Sequence, residues 1–326
     1  MRSGRGSLLA LLVGFAALLT GCGGGGGGPS GENATLLLDF TPNAVHSGIY
    51  TAIGRGYDDG EGVHLRVRSP AASSDSVKLL LAGRTDFAVL DIHDLAIARQ
   101  QGRDIVGVMA LVQRPLAAVL ARPGVRTPAQ LEGRRAGVTG LPSDDAVLRS
   151  IVSGAGGRAA RVKKVTIGFG AVPALLAGRV DGATAFWNVE GVELRRRRPG
   201  FHVFRVDQFG APPYPELVLC TTRTTLRDSP GVVKATVRAL VRGYQETIAD
   251  PESAVEYLLK ANRSLKRDGT QAELDAVSPL FRAADGQIGE LDPGRLGKWA
   301  AWEQRFGIVR ARPDEARAFD GRFVNP

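Results

Sequence analysis

Asp39-Phe40-Thr41-Pro42-Asn43-Ala44-Val45-His46 is the densest group of chemically able side chains in this sequence. It sets an acid and an aromatic just past an apolar run, Leu36-Leu37-Leu38, with an amide and an imidazole close behind. Asn43 and His46 are three apart and share one face of a helix. In open α/β sheets ligands bind beyond the carboxyl ends of strands, where helix N-termini also point, so the octet is placed to hold a polar ligand. A structural account also fits, with Asp39 as a helix cap and His46 as a surface residue.

Phe186-Trp187-Asn188-Val189-Glu190-Gly191-Val192 repeats the theme. An acid and an amide beside two aromatics suit a flat heterocycle with polar edges: rings stack and the carboxylate accepts hydrogen bonds. The alternative is a core aromatic pair with Glu190 in solvent. Phe209-Gly210-Ala211-Pro212-Pro213-Tyr214-Pro215-Glu216 holds three prolines and reads as a stiff turn. There Tyr214 or Glu216 either faces a cleft or braces a hinge. Ser73 and Ser74 precede a helix and either reach a polar group of the ligand or cap that helix.

The elements that must position these residues alternate. Strand-like runs at 36–38, 63–67, 87–89 and 105–111 are separated by helical stretches at 42–54, 74–82 and 91–100, with Thr41-Pro42 opening the first helix. After an apolar run at 116–121, a second series places strands at 135–138, 162–167 and 182–186, with helices from about 143 and 171. The run 217–221 resembles that at 116–121, and helices follow at 229–249, 251–260, 270–282 and 293–306. This alternation predicts mostly parallel sheets covered by helices. The expected architecture is two α/β lobes, 35–115 with 217–326 and 116–216, joined by crossings near 112–122 and 207–217.

The chain starts with Arg2 and Arg5, an apolar run from Leu8 to Leu19, then Leu19-Thr20-Gly21-Cys22 and the glycines 23–28. A basic start and an apolar stretch too short to cross a bilayer are a secretion signal. Residues 1–21 are expected to be a leader, with 22–34 a flexible leash. Leu19 to Cys22 resembles the bacterial lipobox, which makes Cys22 the lipid-bearing first residue of a membrane-anchored, extracytoplasmic protein; an incidental Cys22 beside an ordinary cleavage site is the alternative. Loss of Arg2 and Arg5 lowers the net charge from +9 to +7. Cys220, in the apolar run 217–220, is expected to be buried and inert.

Several classes are excluded or disfavoured. Two cysteines cannot build a disulfide framework or a cysteine-rich metal site. His46, His64, His93 and His202 lack metal-ligand spacing, and no Walker loop, nucleophile elbow or dinucleotide fingerprint occurs. The positive charge is not gathered with aromatics into a stripe, so nucleic acid is not an expected partner; Arg195 to Arg198 read as a solvated helix end.

The strings Asp39 to His46, Trp187 to Val192 and Gly210 to Val218 resemble bacterial substrate-binding proteins for thiamine pyrimidine precursors, a family within the sulfonate- and riboflavin-binding superfamily. Gly83-Arg84-Thr85-Asp86-Phe87 resembles a strand signature of the same superfamily. The resemblance implies a type II periplasmic-binding-protein clamshell, a monomer with two crossing strands at its hinge. It would deliver a pyrimidine ligand to ABC permease and ATPase subunits. By match it assigns ligand contacts to Asp39, Phe40, Asn43, His46, Trp187, Asn188, Glu190 and Tyr214. No cofactor is implied for a binder. Eukaryotic relatives of the fold are pyrimidine-building enzymes that use their own histidine, pyridoxal phosphate and a cysteine-dense iron-binding segment, which this chain lacks. Riboflavin, a sulfonate or another small anion are the alternative ligands, and a pyrimidine-synthase-like enzyme is the alternative to a binder.

Overall fold

The apolar runs become strands buried on both faces. The computed structural model describes residues 31–72 and 74–324; the leader, Cys22 and Ser73 lie outside the described residues. The chain forms β1 (Glu32–Leu37), β2 (Val63–Arg68), β3 (Phe87–Asp91) and β4 (Ile105–Ala110), then β5 (Ala117–Ala121), β6 (Arg135–Val138), β7 (Lys163–Thr166), β8 (Gly182–Phe186), β9 (His202–Arg205) and β10 (Leu217–Thr222). β1 begins inside the stretch expected to be leash. β9 is absent from the sequence expectation because His202 and Arg205 interrupt its apolar character.

Two five-stranded sheets result, ordered β2-β1-β3-β10-β4 and β7-β6-β8-β5-β9. The expectation of mostly parallel sheets needs correction. Four strands of each sheet run the same way, but the fifth is reversed and inserted between two of them: β10 is antiparallel to β3 and β4, and β5 is antiparallel to β8 and β9. The reason lies in connectivity. The chain leaves the first sheet after β4 and enters the second as β5, then leaves after β9 and returns as β10. Each crossing strand arrives from the other lobe without a crossover helix, so nothing forces it parallel.

The longer helices are α1 (Ser47–Gly54), α2 (Asp75–Leu81), α3 (Ile92–Gln100), α4 (Pro142–Gly154), α5 (Ala171–Leu176), α6 (Glu190–Arg197), α7 (Pro230–Ala249), α8 (Pro251–Ala261), α9 (Arg267–Val277) and α10 (Pro293–Arg305). Alternation along the strands splits the core of the first sheet. Leu36, Leu38, Phe87 and Val89 pack with Ile49 of α1 and Leu240 of α7. Leu37, Ala88 and Leu90 pack with Leu95 of α3 and Trp299 of α10. Cys220 is fully buried in β10.

Pro42 does not open the first helix. Asn43 stays extended, and its Oδ1 accepts the Val45 N–H at 2.9 Å, so a short 3-10 turn begins at Ala44 and continues into α1. α1 is held against α7 at backbone distance. A Cβ at Gly243 would stand 2.1 Å from the Gly48 carbonyl oxygen, and the Tyr244 hydroxyl donates to the Val45 carbonyl at 2.8 Å. We expect Gly243→Ala to cost about 1–3 kcal/mol by overpacking, measured as a lower thermal midpoint. Gly231→Ala, in the same helix with open space around it, should cost nothing and serves as the control.

Candidate functional site

Between the carboxyl ends of the two sheets lies a cavity enclosing about 950 Å³ of empty space, its open mouth included. Each wall is built by the residues that follow strands: Asp39 and Phe40 after β1, Asp91 and Asp94 at and after β3, Thr139 after β6, Phe169 after β7, and Phe186 and Glu190 at and after β8. Five of the lining residues are carboxylic acids, namely Asp39, Asp91, Asp94, Asp144 and Glu190. The described lining contains no lysine, arginine or histidine. The two walls touch at Phe40 and Phe169, whose rings meet edge to face with centroids 4.4 Å apart. They touch again where the Ser143 hydroxyl donates to Asp94 Oδ1 at 3.0 Å.

Four of the nine residues expected at the site line this cavity: Asp39, Phe40, Asn43 and Glu190. The Asn43 side chain is spent locally, accepting from Val45 N–H and donating to the Thr41 carbonyl at 3.0 Å, so it fixes the loop. His46 lies behind the wall, fully buried. Its Nδ1 accepts the Asn43 N–H at 3.2 Å, which leaves Nε2–H to donate to Asp39 Oδ1 at 2.8 Å. His46 therefore orients the Asp39 carboxylate instead of facing the cavity.

Trp187 also falls outside the lining. Successive residues of a strand point to opposite sides, so Phe186 takes the cavity and Trp187 the hinge. The indole N–H donates to the Pro115 carbonyl at 3.1 Å and the Arg205 guanidinium covers the ring at 4.3 Å. Asn188 is fully buried, with neither amide atom partnered among the described residues. Tyr214 is fully buried at the hinge beside His93, with its ring against Trp302. Ser73 lies outside the described residues.

The sequence reading misses Asp91, Asp94, Thr139, Ser143, Asp144, Phe169 and Thr184. The signal was available for most of them. The strand-end rule applied to β1 and β8 holds equally for β3, β6 and β7. Only the wall each strand faces needs the fold.

Burial raises the pKa of Glu190 to about 7, opposed by the Phe186 N–H and reinforced by Glu273 of α9. Burial likewise raises Glu273 to about 7, against the Ala44 N–H that it accepts. Burial lifts Asp94 to about 6 despite the Ser143 hydroxyl, and it holds Asp91 well above the usual carboxylate range. The site is thus acidic and under electrostatic tension, relieved by a ligand that brings positive charge or hydrogen-bond donors.

Two groups approach metal-ligand spacing among the described residues: the buried Asp58 with the exposed Asp59 and His64, and the set Asp91, His93 and Glu216, of which Asp91 lines the cavity. Burial disfavours charge on His93, but Glu303, Asp91 and Glu216 outweigh it and raise its pKa to about 10. Both ring nitrogens are already engaged, Nδ1 by Glu303 and Nε2 by the Tyr214 hydroxyl, so the arrangement is that of an ion cluster. Pyridoxal phosphate also fits poorly, since the described lining offers no lysine for a Schiff base and no cation for a phosphate. Cys220, buried in β10, cannot supply a cluster of iron ligands.

The layout of two mixed sheets with antiparallel crossing strands and a cleft between strand ends defines a type II periplasmic-binding-protein fold. It superposes on the alkanesulfonate-binding protein SsuA from Xanthomonas axonopodis pv. citri, bound to MOPS, with a TM-score of 0.71 at 14% identity over 89% of this chain and 98% of that one. Residues 43–254 match the family model described as NMT1/THI5 like, and the chain belongs to that family. The formylaminopyrimidine-binding protein of Halalkalibacterium halodurans is 28% identical over 83% of this chain and 84% of its own length. A Legionella pneumophila protein named 4-amino-5-hydroxymethyl-2-methylpyrimidine phosphate synthase is 27% identical over 90% of this chain and 92% of its own.

The raised Glu190 pKa makes a stability prediction. The folded state favours the protonated acid, so ionisation costs stability progressively as pH rises from about 4.5 to about 7. Glu190→Gln should therefore stabilise the ligand-free protein by about 1–2 kcal/mol at pH 8. The gain should disappear below pH 4.5, as read from thermal midpoints across that range.

Proposed function

We propose that this protein is the solute-binding component of an ABC importer and captures a thiamine pyrimidine precursor, a hydroxymethyl- or formyl-aminopyrimidine. The observation that carries this reading is the donor-demanding wall: five carboxylic acids, three phenylalanines and no basic side chain around one cavity. An aminopyrimidine is flat, carries exocyclic N–H donors and gains charge by protonation. Phe40, Phe169 and Phe186 supply ring faces and edges, while Asp39 and Glu190, on opposite walls, accept from the amino edge. Kinship with a formylaminopyrimidine-binding protein supports the same ligand class. A sulfonate or another small anion would meet like charge here. The kinship with pyrimidine synthases favours an enzyme, but the poor fit of the lining to pyridoxal phosphate favours binding without chemistry.

The two lobes, 35–115 with 217–326 and 116–216, act as the jaws. Ligand bound to both walls stabilises the closed pair, which the permease recognises, by shifting an open–closed equilibrium. Cys22, acylated after removal of residues 1–21, tethers a monomer to the outer face of the cell membrane through the glycine leash.

Thermal shift tests the assignment. An aminopyrimidine at about a hundredfold excess over its Kd should stabilise the protein by about 2.7 kcal/mol, a rise of several degrees in the midpoint. Riboflavin and methanesulfonate should give no shift. A sulfonate or flavin shift without a pyrimidine shift overturns the ligand. Glu190→Gln should weaken the pyrimidine by about 1.5–3 kcal/mol, measured by calorimetry.

A further inference from the structure

The loop between β6 and α4 holds a nest of donors that is already filled. Gly140 takes a φ of 102°, a left-handed conformation that suits glycine and lets neighbouring N–H groups converge. These groups close on the carboxylate of Asp144 in the first turn of α4. Asp144 Oδ2 accepts the Thr139 N–H at 2.6 Å and also the Thr139 hydroxyl. The Gly140 N–H lies close to the same carboxylate, and so does the Thr184 hydroxyl, which donates to the Gly137 carbonyl at 3.4 Å. The one other hydroxyl near this helix start, that of Ser143, donates to Asp94 across the cleft. Asp144, Thr139, Ser143 and Thr184 all line the cavity.

Converging amides and hydroxyls at the start of a 13-residue helix are the arrangement that binds phosphate or sulfonate. Here an internal carboxylate occupies it, and Asp94 adds a second acid beside it. We propose that Asp144 is a built-in counter-anion that sets ligand specificity: it satisfies the donors a phosphoryl or sulfonyl group would need and repels any anion approaching them. The cavity then admits the unphosphorylated aminopyrimidine and rejects its phosphate ester. Rejection of this kind combines lost donors with like charge at short range.

This inference rests on the aminopyrimidine reading, and the test keeps the two separable. Calorimetry on the wild type should show a hydroxymethyl aminopyrimidine binding at least about tenfold more tightly than its phosphate ester, and no heat from inorganic phosphate or methanesulfonate at millimolar concentration. In Asp144→Asn and Asp144→Ser the ratio of ester to alcohol affinity should rise by about tenfold or more, and inorganic phosphate should become a ligand. Equal wild-type affinity for alcohol and ester overturns the inference, and so does an unchanged ratio in the folded variants. If neither variant folds, the wild-type comparison decides. Should the wild type bind neither pyrimidine, the ligand assignment fails, and the inorganic phosphate titration of wild type and variants still decides the role of Asp144.

Discussion

A buried histidine sits where the two sheets join. His93 pairs with Glu303 of α10, lies 3.8 Å from Glu216 and 3.1 Å from the Tyr214 hydroxyl, and is fully buried. Glu216 then clamps the outgoing crossing, its Oε2 accepting the N–H groups of Leu116 and Ala117 at 2.5 and 2.8 Å. Its own carbonyl accepts from Ile92, at the start of α3. One buried cluster therefore ties together both crossings, α10 and the helix that carries Asp94. Such a buried cluster costs much to desolvate and fixes geometry more than it adds stability. It fixes how the two sheets meet.

From that junction the electrostatics of the cleft follow. Carboxylate oxygens of Asp91 and Glu216 lie within 4.8 Å of each other, and Asp91 also lines the cavity, so the buried cluster is continuous with the ligand wall. The cavity gathers Asp39, Asp91 and Asp94 from one side and Asp144 and Glu190 from the other, and burial penalises charge on Asp91, Asp94, Asp144 and Glu190. A net charge of +9 on the whole chain gives no hint of this. Charge on the surface sets the long-range field, whereas the local wall sets what the cleft accepts.

Asp39 shows how ligand-facing and supporting roles divide. The same octet supplies the carboxylate, the ring of Phe40 and the support, because Asn43 ends the loop and presents its N–H to His46, which in turn grips Asp39. In the second string the division is steric. Phe186 and Glu190 reach the cavity, and Trp187 stays with the hinge under Arg205.

Much of this was legible in the residues alone. Triplets such as Leu36-Leu37-Leu38 mark strands buried on two faces, and their spacing with helices marks two α/β layers, because periodicity is local physics. Strand ends rich in acids, amides and rings mark where a ligand sits. What residue order leaves open is direction and partnership. Whether β5 and β10 run parallel depends on which sheet they enter. Whether Trp187 or Phe186 faces the cleft depends on the twist and register of β8. His93, Glu216 and Glu303 are far apart in sequence and meet only when α10 packs against α3 and the hinge. That meeting is long-range, and so is the contact of the Ser143 hydroxyl with Asp94 across the cleft; the tertiary structure decided both.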